Sequence, residues 1–349
     1  MVYRFRRQAD KPPNCGNTIK SEHMKILVTG VKGFLGTNVA EYYLKNTDYD
    51  VVGIGNNLSK QKEYRVISDL ERLGGDRFAY KPCNLTNDVR LKSVLDKENP
   101  DVIINCASQS EVNKSFEQPY EFLKANLEGV FNLLEWLRYT NAGTRFVQLS
   151  TEAVFGDGLK SKQSEEGVLS PLNPYAASKA ASEHYINAYN FCFGLNTVIV
   201  RPVNNFGPYQ NPNKLIAKAI INCIKNIPFK MHGEEDPNKR FWLYAADTVM
   251  AIDYIIKHGG SGTYNLTTEE GFTAEEAVRK ILEIAGTLDL LSTEYSEVRR
   301  KDSEHYQMSG SKIKNLGWSP KYSFEDGIKN TIDWFRNNAF WYNEQEVEI

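Results

Sequence analysis

Lys25-Ile26-Leu27-Val28-Thr29-Gly30-Val31-Lys32-Gly33-Phe34-Leu35-Gly36 is the stretch that decides the fold. A short apolar run ends in glycine, and two further glycines follow at three-residue spacing as an amphipathic stretch over 34–45 begins. Glycines at such spacing alone mark no more than a tight turn. Between a strand and a helix they read as a phosphate cradle. Gly30 makes the turn, and Gly33 lets backbone approach a pyrophosphate at the helix N-terminus. Gly36 lets the helix pack near the strand. Phe34 and Leu35 belong to the same ligand-facing turn.

The pattern repeats outward. Apolar runs at 50–54, 78–82, 101–107, 145–150 and 196–202 alternate with helical stretches near 88–98, 119–140 and 174–193. This alternation predicts βαβ units and a parallel sheet covered on both faces, with ligand groups just past the strands' carboxyl ends. The fold class is therefore α/β: a doubly wound, parallel-sheet Rossmann domain over 24–203 that holds a dinucleotide and the catalytic residues. Past 205 the pattern is irregular, with helices near 213–225, 246–257, 273–285 and 325–337 and strand-like pieces near 241–244 and 262–266. A smaller mixed α/β lobe over 204–340, mainly for substrate, is expected, with some segments returning to the Rossmann domain. Residues 1–23, with Arg4, Arg6, Arg7 and the Pro12-Pro13 pair, read as a flexible extension, and 341–349 as a tail.

Composition narrows the partners. The 349 residues are 41% hydrophobic and 25% charged, with a formal net charge of -2. No global field recruits nucleic acid or an anionic membrane. No apolar run approaches the roughly 20 residues that span a bilayer. Asp10 and the prolines do not suit a transit helix. The five cysteines, Cys15, Cys83, Cys106, Cys192 and Cys223, are odd in number, far apart and without a C-x-x-C pair. That argues against a metal cluster and for a reduced, cytoplasmic protein.

Chemistry is expected beyond each strand. After the second, an acidic residue usually holds the adenosine ribose. Here Asn56 and Asn57 stand there, able to accept from a hydroxyl but without charge to repel a 2′-phosphate. No arginine stands beside them to favour that phosphate, so NAD is the expected cofactor. Asn84, after the third strand, reads as an adenine contact, as the cap of helix 87–98, or simply as a turn residue. Tyr175-Ala176-Ala177-Ser178-Lys179 puts a phenol and an ammonium on one helical face. Such a pair is commonly just a solvated face. It follows the fifth strand, however, whose end reads Ser150-Thr151-Glu152, so a hydroxyl and a carboxylate emerge at the same edge. A neighbouring ammonium and a nicotinium charge are expected to lower the Tyr175 phenol from its usual value near 10 and make it a base. Thr151 reads as the partner of the reacting hydroxyl, or as a cap.

With these motifs the chain resembles the extended short-chain dehydrogenase/reductase family, and within it the nucleoside-diphosphate-glucose (dTDP-glucose) 4,6-dehydratases. The likeness covers about 24–340. It is carried by ILVTGVKGFLG, NPYAASKAASEHYINAY, RPVNNFGPYQNPNKLI, RFWLYAADTVMAID, GTYNL and SKIKNLGWSPKYSFEDGIKNTIDWF. The resemblance implies Tyr175 as base at the sugar C4 hydroxyl, Lys179 as its partner and Thr151 as its aligner. Leu85, Ala107, Ser108 and Val203 join the cofactor contacts. Asn205, Lys214, Leu215, Arg240, Asn265, Arg299 and Tyr306 match positions that hold the substrate nucleotide, which is UDP, dTDP or GDP carrying a hexose. Arg240 suits a diphosphate as a planar charged fork, or serves in a surface ion pair. The resemblance also implies a homodimer, paired through helices near 119–140 and 174–193.

The family reaction oxidises C4, eliminates water across C5 and C6, and returns the hydride to C6. Elimination is best served by two carboxyl groups, one protonated and one ionised. The family pattern Ser-Thr-Asp-Glu-Val-Tyr-Gly here reads Ser150-Thr151-Glu152-Ala153-Val154-Phe155-Gly156. Glu152 replaces the acid, and Ala153 stands where the base belongs. Glu152 acting twice, Glu111 or a cysteine are the candidate replacements. A 4-epimerase, needing only Tyr175, Lys179 and Thr151, is the second reading, and a silent binding protein the third. Ser108-Gln109-Ser110-Glu111, His232 and Asp302 also depart from the family pattern, pointing to a different sugar or base.

Overall fold

A computed structural model of the chain describes residues 23–140, 143–157, 162–232, 238–296 and 307–343. In chain order the strands are β1 (Lys25–Thr29), β2 (Asp50–Gly55), β3 (Phe78–Pro82), β4 (Val102–Asn105), β5 (Arg145–Leu149) and β6 (Thr197–Pro202), then β7 (Asn204–Phe206), β8 (Phe229–His232), β9 (Arg240–Tyr244), β10 (Gly262–Leu266), β11 (Gly271–Phe272) and β12 (Leu291–Ser296). Seven of them form one sheet in the order β10-β6-β5-β4-β1-β2-β3. Every pairing in it is parallel. Strand order reverses between β1 and β4, so the ligand crevice opens above that boundary.

The strands are apolar on both sides because helices cover both faces. Ile26 and Val28 of β1 enter one buried cluster with Val51 and Ile104, while Leu27 enters the other with Val52, Ile54 and Ile103. That is the two-residue alternation of a pleated strand. Helix Pro174–Phe193 begins where its sequence dictates: the Asn173 side chain accepts from Ala176 N, and Pro174 occupies the first turn, where no amide donor is needed.

Several elements differ from the sequence reading, and three show why. β10 pairs with β6 at the edge of the large sheet instead of joining the strands of the C-terminal region, which form the sheets β11-β9-β7 and β12-β8. A five-residue strand carries no local signal for which edge it completes. Helix Gln61–Gly74 was passed over because its charged residues obscure the stripe of Val66, Ile67 and Leu70 that it buries. The stretch over 119–140 is helical but contains a π-turn at Lys124–Glu128.

Candidate active site

The cradle is built from backbone that tolerates no side chain. Gly30 adopts φ 64, where an L residue is strained, and a Cβ there would lie 2.8 Å from the Ala107 Cα. A Cβ on Gly36 would lie 2.2 Å from the Gly30 carbonyl oxygen, so the helix packs onto the turn only through glycine. Beneath this turn a cavity of about 490 Å³ opens at the β1/β4 switch point. Of the expected cofactor residues, Gly30, Gly33, Phe34, Leu35, Gly36, Asn56, Asn84, Leu85, Ala107, Ser108, Tyr175 and Lys179 line it. Asn57 and Val203 do not; Asn57 lies one residue past the lining and Val203 is buried. Asn84 is not the cap: its Oδ1 accepts from Thr86 N at 3.0 Å, and Asn87 caps the helix Asp88–Glu98. A cleft with a side-chain-free wall beside a helix N-terminus fits the pyrophosphate of NAD.

Tyr175 and Lys179 enter the cavity together from one face of helix Pro174–Phe193. Lys179 is 3% exposed, and its Nζ donates to the Leu149 carbonyl at 2.5 Å. That carbonyl also ends a buried polar chain. Ala107 N donates to Thr29 Oγ1 (3.0 Å), Thr29 to Asn105 Oδ1 (2.5 Å), Asn105 to Gln148 Oε1 (2.7 Å), and Gln148 Nε2 to Leu149 O (2.6 Å). All donors run one way, so each bond polarises the next. The lysine's anchor is thereby tied to the strand ends that form the cradle. Asn126, inside the π-turn, staples the other side: its Oδ1 accepts from Gln109 N (2.8 Å) and its Nδ2 donates to Ser178 Oγ (2.9 Å). Such turns commonly mark functional positions.

The protein alone does not lower the phenol. Burial is the largest effect and the Glu152 carboxylate adds to it, pushing Tyr175 up to about 12 against a hydrogen bond with Thr151. A low-dielectric site penalises phenolate more than one hydrogen bond offsets, so positive charge has to arrive with a ligand. Burial also drives Lys179 down to about 8, opposed by Glu183 and Cys106. Glu183 is itself buried and gripped by Arg201, Nη2 to Oε2 at 2.6 Å.

Thr151 fills the capping role, its Oγ1 accepting from Ala153 N at 3.3 Å, and it also bonds Tyr175. Glu152 is 4% exposed, and its Oε1 accepts from Asn204 Nδ2 at 2.6 Å. The other candidate bases are poorly suited. Burial lifts the Cys106 thiol to about 12. Glu111 is partly exposed, pairs with Lys114 at 3.0 Å and lies off the cavity lining.

The expected substrate residues that are described, Thr151, Asn205, Lys214, Leu215, Arg240 and Asn265, are not among those lining this cavity. Asn205 spends its amide on the Val203 carbonyl (3.0 Å), and its Oδ1 accepts from Thr248. Asn265 is fully buried, with Nδ2 directed to the carbonyls of Gln163 (3.2 Å) and Ser309 (3.3 Å). Lys214 caps helix Leu215–Lys225, which Leu215 begins, and Arg240 opens β9. Arg299, Tyr306, Asp302 and the side chain of His232 lie outside the described residues.

Lining residues that the sequence reading missed include Lys32, Lys62, Glu63, Cys106, Tyr209 and Trp341. Trp341 comes from the expected C-terminal tail, is 5% exposed and donates its indole N–H to the Gln210 carbonyl at 2.8 Å. Nothing local announces such a contact. Lys32 lay in plain view inside the cradle, and only its side-chain direction was missing. Among the described residues no cluster of His, Cys, Asp and Glu is arranged to hold a metal, and no helix is long and apolar enough to cross a membrane.

Residues 27–331 match the family model described as GDP-mannose 4,6 dehydratase. A dTDP-glucose 4,6-dehydratase of Salmonella typhimurium is 31% identical over 346 residues, covering 92% of this chain and 95% of that protein. The structure of dTDP-glucose 4,6-dehydratase from Bacillus anthracis in complex with NAD superposes with a TM-score of 0.81 at 29% identity, covering 92% of this chain and 99% of that one. UDP-glucose 4-epimerase of Thermotoga maritima, solved with UDP-glucose, gives 0.80 at 25% identity, over 90% of this chain and all (100%) of that one. With the family model spanning all seven strands of the central sheet except the first residues of β1, the chain belongs to the GDP-mannose 4,6-dehydratase family of extended short-chain dehydrogenases/reductases, enzymes of nucleotide-sugar chemistry that use NAD.

Proposed function

We propose that this chain, a nucleotide-sugar 4,6-dehydratase by family, oxidises the hexose of a UDP-, dTDP- or GDP-sugar at C4 through Tyr175, Lys179 and Thr151, and eliminates water with Glu152. The supporting observation is that Tyr175 and Lys179 open into the same cavity as the Gly30–Gly36 cradle. Bound NAD supplies the hydride acceptor at C4 and the hydride returned at C6. Tyr175 takes the proton of the C4 hydroxyl, and Thr151 orients that hydroxyl and the phenol. Lys179, one helical turn along, adds its charge to that of the nicotinium once the dinucleotide is bound, and together they favour the ionised phenol. Glu152 is buried and oriented by Asn204. With Ala153 unable to move a proton, Glu152 removes the C5 proton and then delivers one to the departing C6 hydroxyl, a single carboxyl acting as base and acid in turn. Asn205, Lys214, Leu215, Arg240, Asn265, Arg299 and Tyr306 are the proposed nucleotide contacts, and Asn57 and Val203 further cofactor contacts.

Incubation with UDP-, dTDP- and GDP-hexoses and NAD, followed by mass spectrometry, tests this. Loss of one water from one donor is the expected result. An isobaric product of altered stereochemistry would instead support a 4-epimerase, the reading that Ala153 favours. Absence of turnover with every donor would defeat both and leave a silent binder.

A homodimer is proposed through helices Gly129–Thr140 and Pro174–Phe193. Phe131, Tyr185, Tyr189 and Phe193 form a contiguous aromatic face there, with Phe131 37%, Tyr185 44% and Phe193 46% exposed. Phe131→Asp with Tyr185→Asp is expected to halve the mass read by light scattering. A cytoplasmic location is proposed, supported by free thiols at the four described cysteines, Cys83, Cys106, Cys192 and Cys223.

A further inference from the structure

The end of the cavity beside β2 lacks the acidic residue that reads ribose hydroxyls in such folds; Asn56 and Asn57 follow the strand instead. A carboxylate nevertheless reaches this end from another element. Glu63, in the first turn of helix Gln61–Gly74, lines the cavity together with Gly55 and Asn56. Its Oε2 accepts from Ser59 N (2.9 Å), Ser59 Oγ (3.3 Å), Lys60 N (3.3 Å) and Lys32 Nζ (2.9 Å). Burial alone would raise this carboxyl, but the bonds from Ser59, Lys32 and Lys60 together hold it below its ordinary value, so it carries full charge near neutral pH.

Lys32 comes from within the cradle, between Gly30 and Gly33. Its side chain runs alongside Gly55, where a Cβ would meet Lys32 Cγ at 3.8 Å, and its ammonium also donates to the Asn57 carbonyl at 3.1 Å. An anion and a cation are thus fixed just beyond β2, beside Asn57, on the side where such folds hold the adenosine ribose and where a second ribose phosphate would bring its charge. The carboxylate repels that phosphate. It also occupies the ammonium that would otherwise attract it.

We infer that Glu63 is the residue that selects NAD over NADP in this chain, supplying from a helix the charge that the end of β2 lacks and holding Lys32 away from a 2′-phosphate. The inference rests on the dinucleotide reading of the cavity. Directly after β2 the chain has Asn56 in place of an acid, and the selecting charge comes from the next helix.

The test is calorimetric titration of NAD and NADP into the full-length protein freed of dinucleotide, as wild type, E63Q and K32Q/E63Q. The wild type is expected to bind NAD more tightly than NADP. E63Q is expected to shift the ratio of dissociation constants toward NADP by about tenfold, the effect of one unit charge at ~6 Å in an effective dielectric of ~40. The shift should shrink with added salt. K32Q/E63Q should lose the gain, because the liberated ammonium provides it. An unchanged ratio in E63Q, or a gain that survives in the double variant, overturns the inference. Should E63Q lose its circular-dichroism signature, Glu63→Asp, which retracts the carboxylate by one methylene, carries the test with a smaller shift in the same direction. A wild type that binds NADP as tightly as NAD overturns the selecting role alone. A wild type that binds neither overturns the dinucleotide reading, and this inference with it.

Discussion

At the Tyr175 end of the cavity charge is desolvated and only partly compensated, whereas at the β2 end it is paired and partly wet. Lys179 is 3% exposed and bonded to a neutral carbonyl. Lys32 and Glu63 keep 16% and 17% of their side-chain surface and neutralise each other. In the first arrangement burial pushes Lys179 down to about 8 and Tyr175 up to about 12, each toward its neutral form. The second leaves a charge pair that discriminates among ligands without strain. Desolvation suits a site that must transfer a proton when a charged ligand arrives, and pairing suits one that must read a ligand's charge.

Substitutions at the two ends should separate these behaviours. Tyr175→Phe is expected to lower turnover by about 10³-fold, as for loss of a general base, with dinucleotide affinity nearly intact. Steady-state kinetics and calorimetry check the two halves; affinity falling along with turnover would mean that the phenol only packs. Glu152→Gln should lower release of dehydrated sugar by about 10²-fold while C4 oxidation, seen as reduced-nicotinamide absorbance, persists. Unimpaired dehydration would remove Glu152 from its role.

Lys179→Met sharpens the contrast most directly. The folded pKa of Lys179, about 8, lies below the ordinary lysine value of 10.5, so folding disfavours its charged form. That penalty is complete below the folded value and fades as pH rises toward the unfolded one. The variant should therefore be more stable than wild type by about 1–3 kcal/mol near neutral pH, with the gain vanishing by about pH 10.5, while turnover falls by about 10²-fold. Urea melts across that range decide it; destabilisation at neutral pH would contradict the desolvation argument. At the other end, Asn84→Ala should weaken NAD binding only about threefold, the worth of one exposed hydrogen bond. A large loss there would show that the β2 end is not the lenient one.

The glycine turn was legible because its demands are local. Gly30 needs a positive φ, Gly36 must clear a carbonyl one turn away, and both requirements lie within seven residues. Tyr175 and Lys179 were legible for a similar reason, being one helical turn apart at the start of a helix that the Asn173-Pro174 cap announces. Asn205 and Asn265 illustrate the opposite case. Their residue types matched a pattern, but which atoms are spent on Thr248, Gln163 or Ser309 depends on chain that is 43, 102 and 44 residues away. Asn84 was read as a possible cap when Asn87, three positions on, holds that place. Local sequence permits either register, and the helix's packing chooses.

The order of apolar runs and glycines in this chain was enough to determine a parallel dinucleotide-binding sheet and the helix that bears its tyrosine and lysine, because periodicity and backbone sterics act over a few residues. Tertiary structure alone decided that β10 completes the large sheet, that Trp341 walls the cavity, that burial raises the phenol instead of lowering it, and that a carboxylate from helix Gln61–Gly74 stands where β2 supplies none. Burial and long-range pairing are properties of neighbours brought together by folding, and no spacing along the chain encodes them directly.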